Sequence, residues 1–153
     1  MNCPICSWTK QNTDYPFIYE TPCWIVKLAP NQCLLGRCVI STQRHVGDLA
    51  LLTQQEKGDF FDIVRQLETA LRQAFDATMF NWSCYMNHAY RDASPDPHVH
   101  WWMVPRYNGE RTLDDLTFED PHFGDPYDHY RRRDVSVETK LQIVEKIAAA
   151  LPR

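Results

Sequence analysis

The sequence predicts an α+β domain built on an antiparallel sheet, and three observations carry that prediction. Short apolar runs bounded by turn residues stand on both sides of one long amphipathic stretch. These runs do not alternate regularly with helices, as a parallel βαβ sheet requires. A second helical stretch closes the chain. The chain has 153 residues, which suits a single domain over 1–153. Apolar residues make up 44% and charged ones 24%, the balance of a globular protein. The net charge of −4 argues against a nucleic-acid coat protein, so no nucleic acid is expected as a partner. No segment approaches the roughly 20 apolar residues that span a bilayer, so no membrane partner is expected either. The opening MNCPICSWTK lacks the basic-then-apolar pattern of a signal peptide. The expected location is cytoplasmic. There, six cysteines read as thiols or metal ligands rather than a disulfide frame.

The elements run in this order. FIYE (17–20) and CWIVKL (23–28), separated by Thr21 and Pro22, form a hairpin, and CVIST (38–42) is a further strand. Thr53 followed by Glu56 has the capping-box pattern, a hydroxyl and then a carboxylate three residues on. Phe60, Phe61, Val64, Leu67, Leu71 and Phe75 come next at helical spacing, one apolar stripe on a helix of about five or six turns. FNWSCYMN (80–87) resembles a strand. Residues 87–97 form a polar loop with two prolines, and 98–104 are a strand stopped by Pro105. Residues 106–135, rich in Asp, Pro and aromatics, read as irregular. Leu141, Val144, Ile147, Ala148 and Leu151 mark the closing helix. Arg131, Arg132 and Arg133, offset by Asp125, Asp128 and Asp134, read as solvated surface, as do His122 and His129. No two of the five glycines are close enough to build a Walker loop or a dinucleotide fingerprint.

Two short motifs carry chemistry. Cys3-Pro4-Ile5-Cys6 brings two sulfurs to one turn and is half of a tetrahedral zinc site, or else a pair of ordinary thiols. A thioredoxin-like role fits poorly at the extreme N-terminus, outside a βαβ unit. Cys23, Cys33, Cys38 and Cys84 are scattered in apolar settings and read as small buried hydrophobes. In a strand, His98, His100 and Trp102 share one face while Val99, Trp101 and Met103 share the other. Two imidazoles on such a face need partners, because a buried ring nitrogen without one is costly. They are core histidines bonded to backbone carbonyls, or they carry chemistry.

His98-Val99-His100-Trp101-Trp102-Met103-Val104-Pro105-Arg106 resembles the His-φ-His-φ-His-φ-φ motif of the histidine triad (HIT) superfamily of nucleotide hydrolases and transferases. LLGRCVISTQRHVGDL is similar to the segment upstream of that motif, and Asn87 stands eleven residues before the first motif histidine, as in the family. The resemblance covers residues 1–107 and leaves 108–153 as a C-terminal extension. It implies a sheet of about five antiparallel strands with one long helix and a C-terminal helix. It implies a nucleotide hydrolase or nucleotidyltransferase acting at the α-phosphate, with His100 as nucleophile and a covalent nucleotidyl-histidine. Asn87, Ser94 and Trp102 would contact the nucleotide. Zinc-containing members suggest a structural Zn²⁺ on Cys3, Cys6, His45 and His98, and the family suggests a homodimer with a continuous sheet.

Two departures qualify this. Trp102 replaces the third histidine, and indole can donate one hydrogen bond but neither accepts a proton nor carries positive charge. It stacks on a base or sugar, or fills volume. Ala93-Ser94-Pro95 replaces the family's Gly-Gln-Ser/Thr, and Pro95 has no backbone N–H to offer a phosphate. Ser94 keeps a hydroxyl and Arg91 a charge. The departures leave room for a catalytically weak nucleotide-binding or scaffold protein with a structural zinc. A redox or zinc-sensing protein acting through Cys3 and Cys6 is the third reading.

Overall fold

The computed structural model describes residues 3–8 and 10–152. Five strands form one antiparallel sheet in the order β1-β2-β3-β5-β4. They are β1 Phe17–Glu20, β2 Trp24–Leu28, β3 Cys38–Thr42, β4 Met79–Ser83 and β5 His100–Arg106. Helix α1, Gln54–Phe75, joins β3 to β4, and α2, Val137–Ala150, closes the chain against α1 and β1. The predicted α+β class, the count of five strands and both helices are therefore the observed ones. No helix of the described residues is long and apolar enough to cross a membrane.

Side-chain alternation divides the sheet. Trp24, Val26 and Leu28 of β2, Cys38 and Ile40 of β3, and Trp101 and Met103 of β5 all join the core under α1. The opposite face carries Lys27, Val39, Ser41, His100 and Trp102, and it holds the candidate site. α1 starts where expected: Thr53 Oγ1 accepts from the Glu56 N–H, and the Glu56 carboxylate accepts from the Thr53 N–H. Arg44 also grips Glu56 through two hydrogen bonds and holds its carboxyl at about 2. The β2–β3 turn needs Gly36 at φ 82°, where an added Cβ would lie 2.6 Å from Leu71 Cδ2.

Several expectations need correction. Phe61 does not belong to the α1 stripe, for it is 71% exposed, and Ile63 is buried instead. Successive helical residues point about 100° apart, so Phe60 and Phe61 cannot both face the sheet. Phe60 wins by packing on Trp24, Trp82 and Trp101. In α2, likewise, Ile143 is buried while Leu141 is 54% exposed and Ala148 faces out. β4 ends at Ser83, and residues 87–91 form a 3-10 helix rather than open loop. Pro105 does not stop β5: it lies past Met103, the last residue paired to β3, and opposite Phe80 of β4. With a neighbour on one side only, the missing N–H is tolerated as at a sheet edge.

Residues 106–135 are not irregular either. β6, Arg111–Leu113, and β7, Leu116–Phe118, form a second antiparallel pair. Arg106 organises the segment beyond β7. Its Nε and Nη2 donate to the Asp120 carboxylate at 2.6 and 3.0 Å, and Nη1 donates to Asn81 Oδ1 and the Asp125 carbonyl. Nη2 also reaches the His122 carbonyl at 2.6 Å. Both side chains of the pair are 1% exposed. Arg131 and Arg133 are likewise not loose surface: they donate to the carbonyls of Glu119 and Thr117, and Arg133 covers Phe118.

Removing Arg106 would leave the buried Asp120 carboxylate without a counter-charge among the described residues, with only the Tyr107 N–H still donating to it. Arg106→Leu should lose about 3–5 kcal/mol of unfolding free energy in urea titration. A loss below about 1 kcal/mol would show that this ion pair is not what fastens the 119–125 segment.

Candidate functional site

The site grows from the start of β5. The N–H of Val99 donates to the Val46 carbonyl at 2.8 Å, and its carbonyl accepts from the Thr42 N–H at 3.2 Å. This backbone is locked to β3 and to the turn beyond it. His98, 4% exposed, donates from Nε2 to the Thr42 carbonyl at 2.8 Å. Its Nδ1 lone pair is thereby turned towards the N-terminal segment. There it lies 3.4 Å from Cys3 Sγ and 3.3 Å from Cys6 Sγ. His45 brings Nδ1 to 3.3 Å from Cys6 Sγ, and its Nε2 lies 3.0 Å from the Asp96 carboxylate.

The four ligand atoms of Cys3, Cys6, His45 and His98 all lie within 4.8 Å of one another, so the four residues singled out in the sequence meet at one point. Bond lengths of about 2.3 Å to sulfur and 2.0–2.1 Å to nitrogen around a tetrahedral ion put neighbouring S and N atoms about 3.5 Å apart. The observed separations match that. The distal nitrogen of His98 is bonded to a carbonyl and that of His45 faces a carboxylate, the usual outer surroundings of metal-binding histidines. Partial desolvation, then Cys3 and Asp96 nearby, push the Cys6 thiol up to about 11. A divalent cation reverses that preference by taking the thiolate as ligand. Two sulfurs and two imidazole nitrogens suit an ion of zinc's borderline character. Four protein ligands leave no open position for water, so such an ion would serve structure.

His100 is held differently. Its Nδ1 donates to the carbonyl of His98 at 2.8 Å, which leaves Nε2 as a bare lone pair. Burial holds the ring below the ordinary histidine range, and the charge of His88 adds to that. The ring is therefore neutral at pH 7, half-buried, and beside Trp102 at 6.0 Å between ring centres. Trp102 is in turn covered by Arg37, whose Cζ lies 4.9 Å from the ring centre. On the same side of the molecule Trp8 stacks on Tyr15 at 4.1 Å.

Asn87 and Ser94 both lie exposed on the loop between β4 and β5. Among the described residues, no hydrogen bond ties either to His100. Sequence reading missed His88, Asp96 and Arg37. Asp96 was findable as the acidic neighbour of the motif; the other two carry no signal of spacing.

No protein-family model matches the chain, and no curated protein matches it by sequence. Solved structures do. A hypothetical histidine triad nucleotide-binding protein from Sulfolobus tokodaii strain 7 superposes with a TM-score of 0.72 at 14% identity, covering 97% of this chain and 91% of that one. A zinc-bound histidine triad family protein from Mycobacterium smegmatis gives 0.57 at 21% identity, over 87% and 83%. A uridylyltransferase gives 0.57 at 16% identity, over 92% of this chain and 42% of that one. At these identities the likeness establishes a shared fold.

If Asp96 orients His45, Asp96→Asn should weaken affinity for a divalent ion about 10–100-fold in chelator competition, with stoichiometry near one per chain. Unchanged affinity would show that His45 needs no such support.

Proposed function

We propose that this chain is a histidine triad protein of the zinc-containing type, and that it acts on nucleotides at the α-phosphate. The observation that carries the reading is the His100 imidazole: neutral, tautomerically fixed by the His98 carbonyl, and bare at Nε2. Nε2 would attack the α-phosphorus of a nucleoside phosphoester, anhydride or phosphoramidate. The bond to the leaving group breaks as the N–P bond forms, and the leaving group takes the electron pair. The ring gains positive charge in that step, and the His98 carbonyl stabilises it through the same Nδ1–H bond. Water or another hydroxyl acceptor then attacks phosphorus and releases its proton to solvent, and the electron pair of the N–P bond returns to Nε2.

Cys3, Cys6, His45 and His98 would hold a structural Zn²⁺, which clamps the N-terminal segment to the strand that carries His100. Asn87 and Ser94 would reach the nucleotide from the loop that borders the motif. β4 lies at the edge of the sheet, and Phe61 stands exposed on α1. Both favour a homodimer with a continuous sheet.

One feature favours a weaker activity. Ser94 is exposed and Pro95 has no N–H, so this loop offers the α-phosphate fewer donors than the family pattern does. The alternative is a nucleotide-binding or scaffold protein that turns over slowly.

Incubation with a panel of adenosine phosphoramidate, dinucleoside polyphosphate and nucleotide sugar, quenched in mild alkali, separates the two. Intact mass spectrometry should detect a nucleotidyl adduct that His100→Ala abolishes, with turnover falling about 10³-fold or more. Binding without an adduct supports the alternative, and turnover that survives His100→Ala excludes the covalent route.

A further inference from the structure

Arg37 is an unusual charge in this molecule. The other arginines that are not exposed are engaged among the described residues. Arg106 and Arg111 pair with Asp120 and Asp76, while Arg131 and Arg133 donate to backbone carbonyls. Arg37 has neither kind of partner among the described residues: its Nε is buried without a hydrogen bond, and its guanidinium rests on the face of Trp102. It is close enough to Tyr15 and Tyr127 for its charge to act on both phenols, but no described carboxylate pairs with it. A half-buried cation in this state is short of an acceptor.

Its position says which acceptor. Arg37 precedes β3, and alternation puts residues 37, 39 and 41 on one face. Val39 pairs with Trp102 and Ser41 with His100. Arg37 therefore continues the row that runs past Trp102 on the side away from His100. Trp102 itself cannot supply a proton to a departing group. A leaving group on this flank must depart as a stable anion, with fixed positive charge beside it.

Resting on the nucleotidyl-transfer reading above, we infer that Arg37 and Trp102 form a subsite for the phosphate beyond the α-phosphate. The favoured substrates would then be nucleoside di- and polyphosphates rather than phosphoramidates. In the transfer step the P–O bond to the second phosphate breaks and the electron pair stays on that oxygen. The guanidinium neutralises it, so no proton is needed. Stacking on Trp102 fixes the plane of the guanidinium for two-point contact with phosphate oxygens.

Calorimetric titration of the intact protein with AMP and ADP tests this without requiring turnover. The native chain should bind ADP about tenfold or more tightly than AMP. Arg37→Gln should bring the two within about twofold while AMP affinity and melting temperature hold, and Arg37→Lys should keep part of the preference. An ADP preference that survives Arg37→Gln, or a parallel loss of AMP and ADP binding, overturns the subsite and leaves the nucleotide reading standing. If the native chain binds neither, the nucleotide reading falls and the subsite with it. Should Arg37→Gln fail to fold, Arg37→Lys decides alone: an ADP preference as strong as the native one overturns the two-point contact.

Discussion

One residue is used twice, and the arrangement of the site depends on that. The ring of His98 joins the cluster of cysteines and histidines that ties the N-terminal segment to the sheet. Its backbone carbonyl accepts the Nδ1 proton of His100. A shift of His98 would disturb both at once. The structure prevents such a shift from two directions: the ring donates to Thr42, and the next residue is bonded to Val46 and Thr42. The metal-type cluster and the bare Nε2 of His100 are thus one piece of geometry. A one-residue slip of β5 would turn Trp101 and Met103 outward and bury His100, so the register is strongly specified.

Distant elements enforce the same register from below and from the far end. Trp101 and Met103 are held under α1, where the Phe60 ring packs at a tilt on Trp101 with 4.8 Å between ring centres. At the far end Arg106 fastens β5 to the 119–125 segment, and the Tyr107 hydroxyl donates to the Leu35 carbonyl at 2.6 Å. The residues between these anchors have little freedom to move. That suits the attack on phosphorus proposed for His100, which needs one orientation of the ring.

Much of this was legible in the sequence, for identifiable reasons. Strands β1 to β3 were written in alternation and turn residues, and α1 began at the capping box of Thr53 and Glu56. Spacing marked only Cys3 and Cys6; His45 and His98 joined them through the resemblance to zinc-containing family members, and the four do cluster. What was not legible depends on contacts between residues far apart in the chain. Phe61 and Ile63 could not be sorted without knowing that Phe60 meets three tryptophans. The Arg106–Asp120 pair has no periodicity, so the segment it organises looked irregular. The half-buried charge of Arg37 became meaningful only when β3 was laid beside Trp102.

The proposed chemistry requires that His100 present a neutral imidazole with the proton on Nδ1 and a bare Nε2. Long-range ¹H–¹⁵N correlation spectroscopy of the imidazoles at neutral pH reads this directly. In protein loaded with metal, His100 should show Nδ1 protonated and Nε2 unprotonated. A proton on Nε2, or a His100 ring that binds the metal itself, would contradict it.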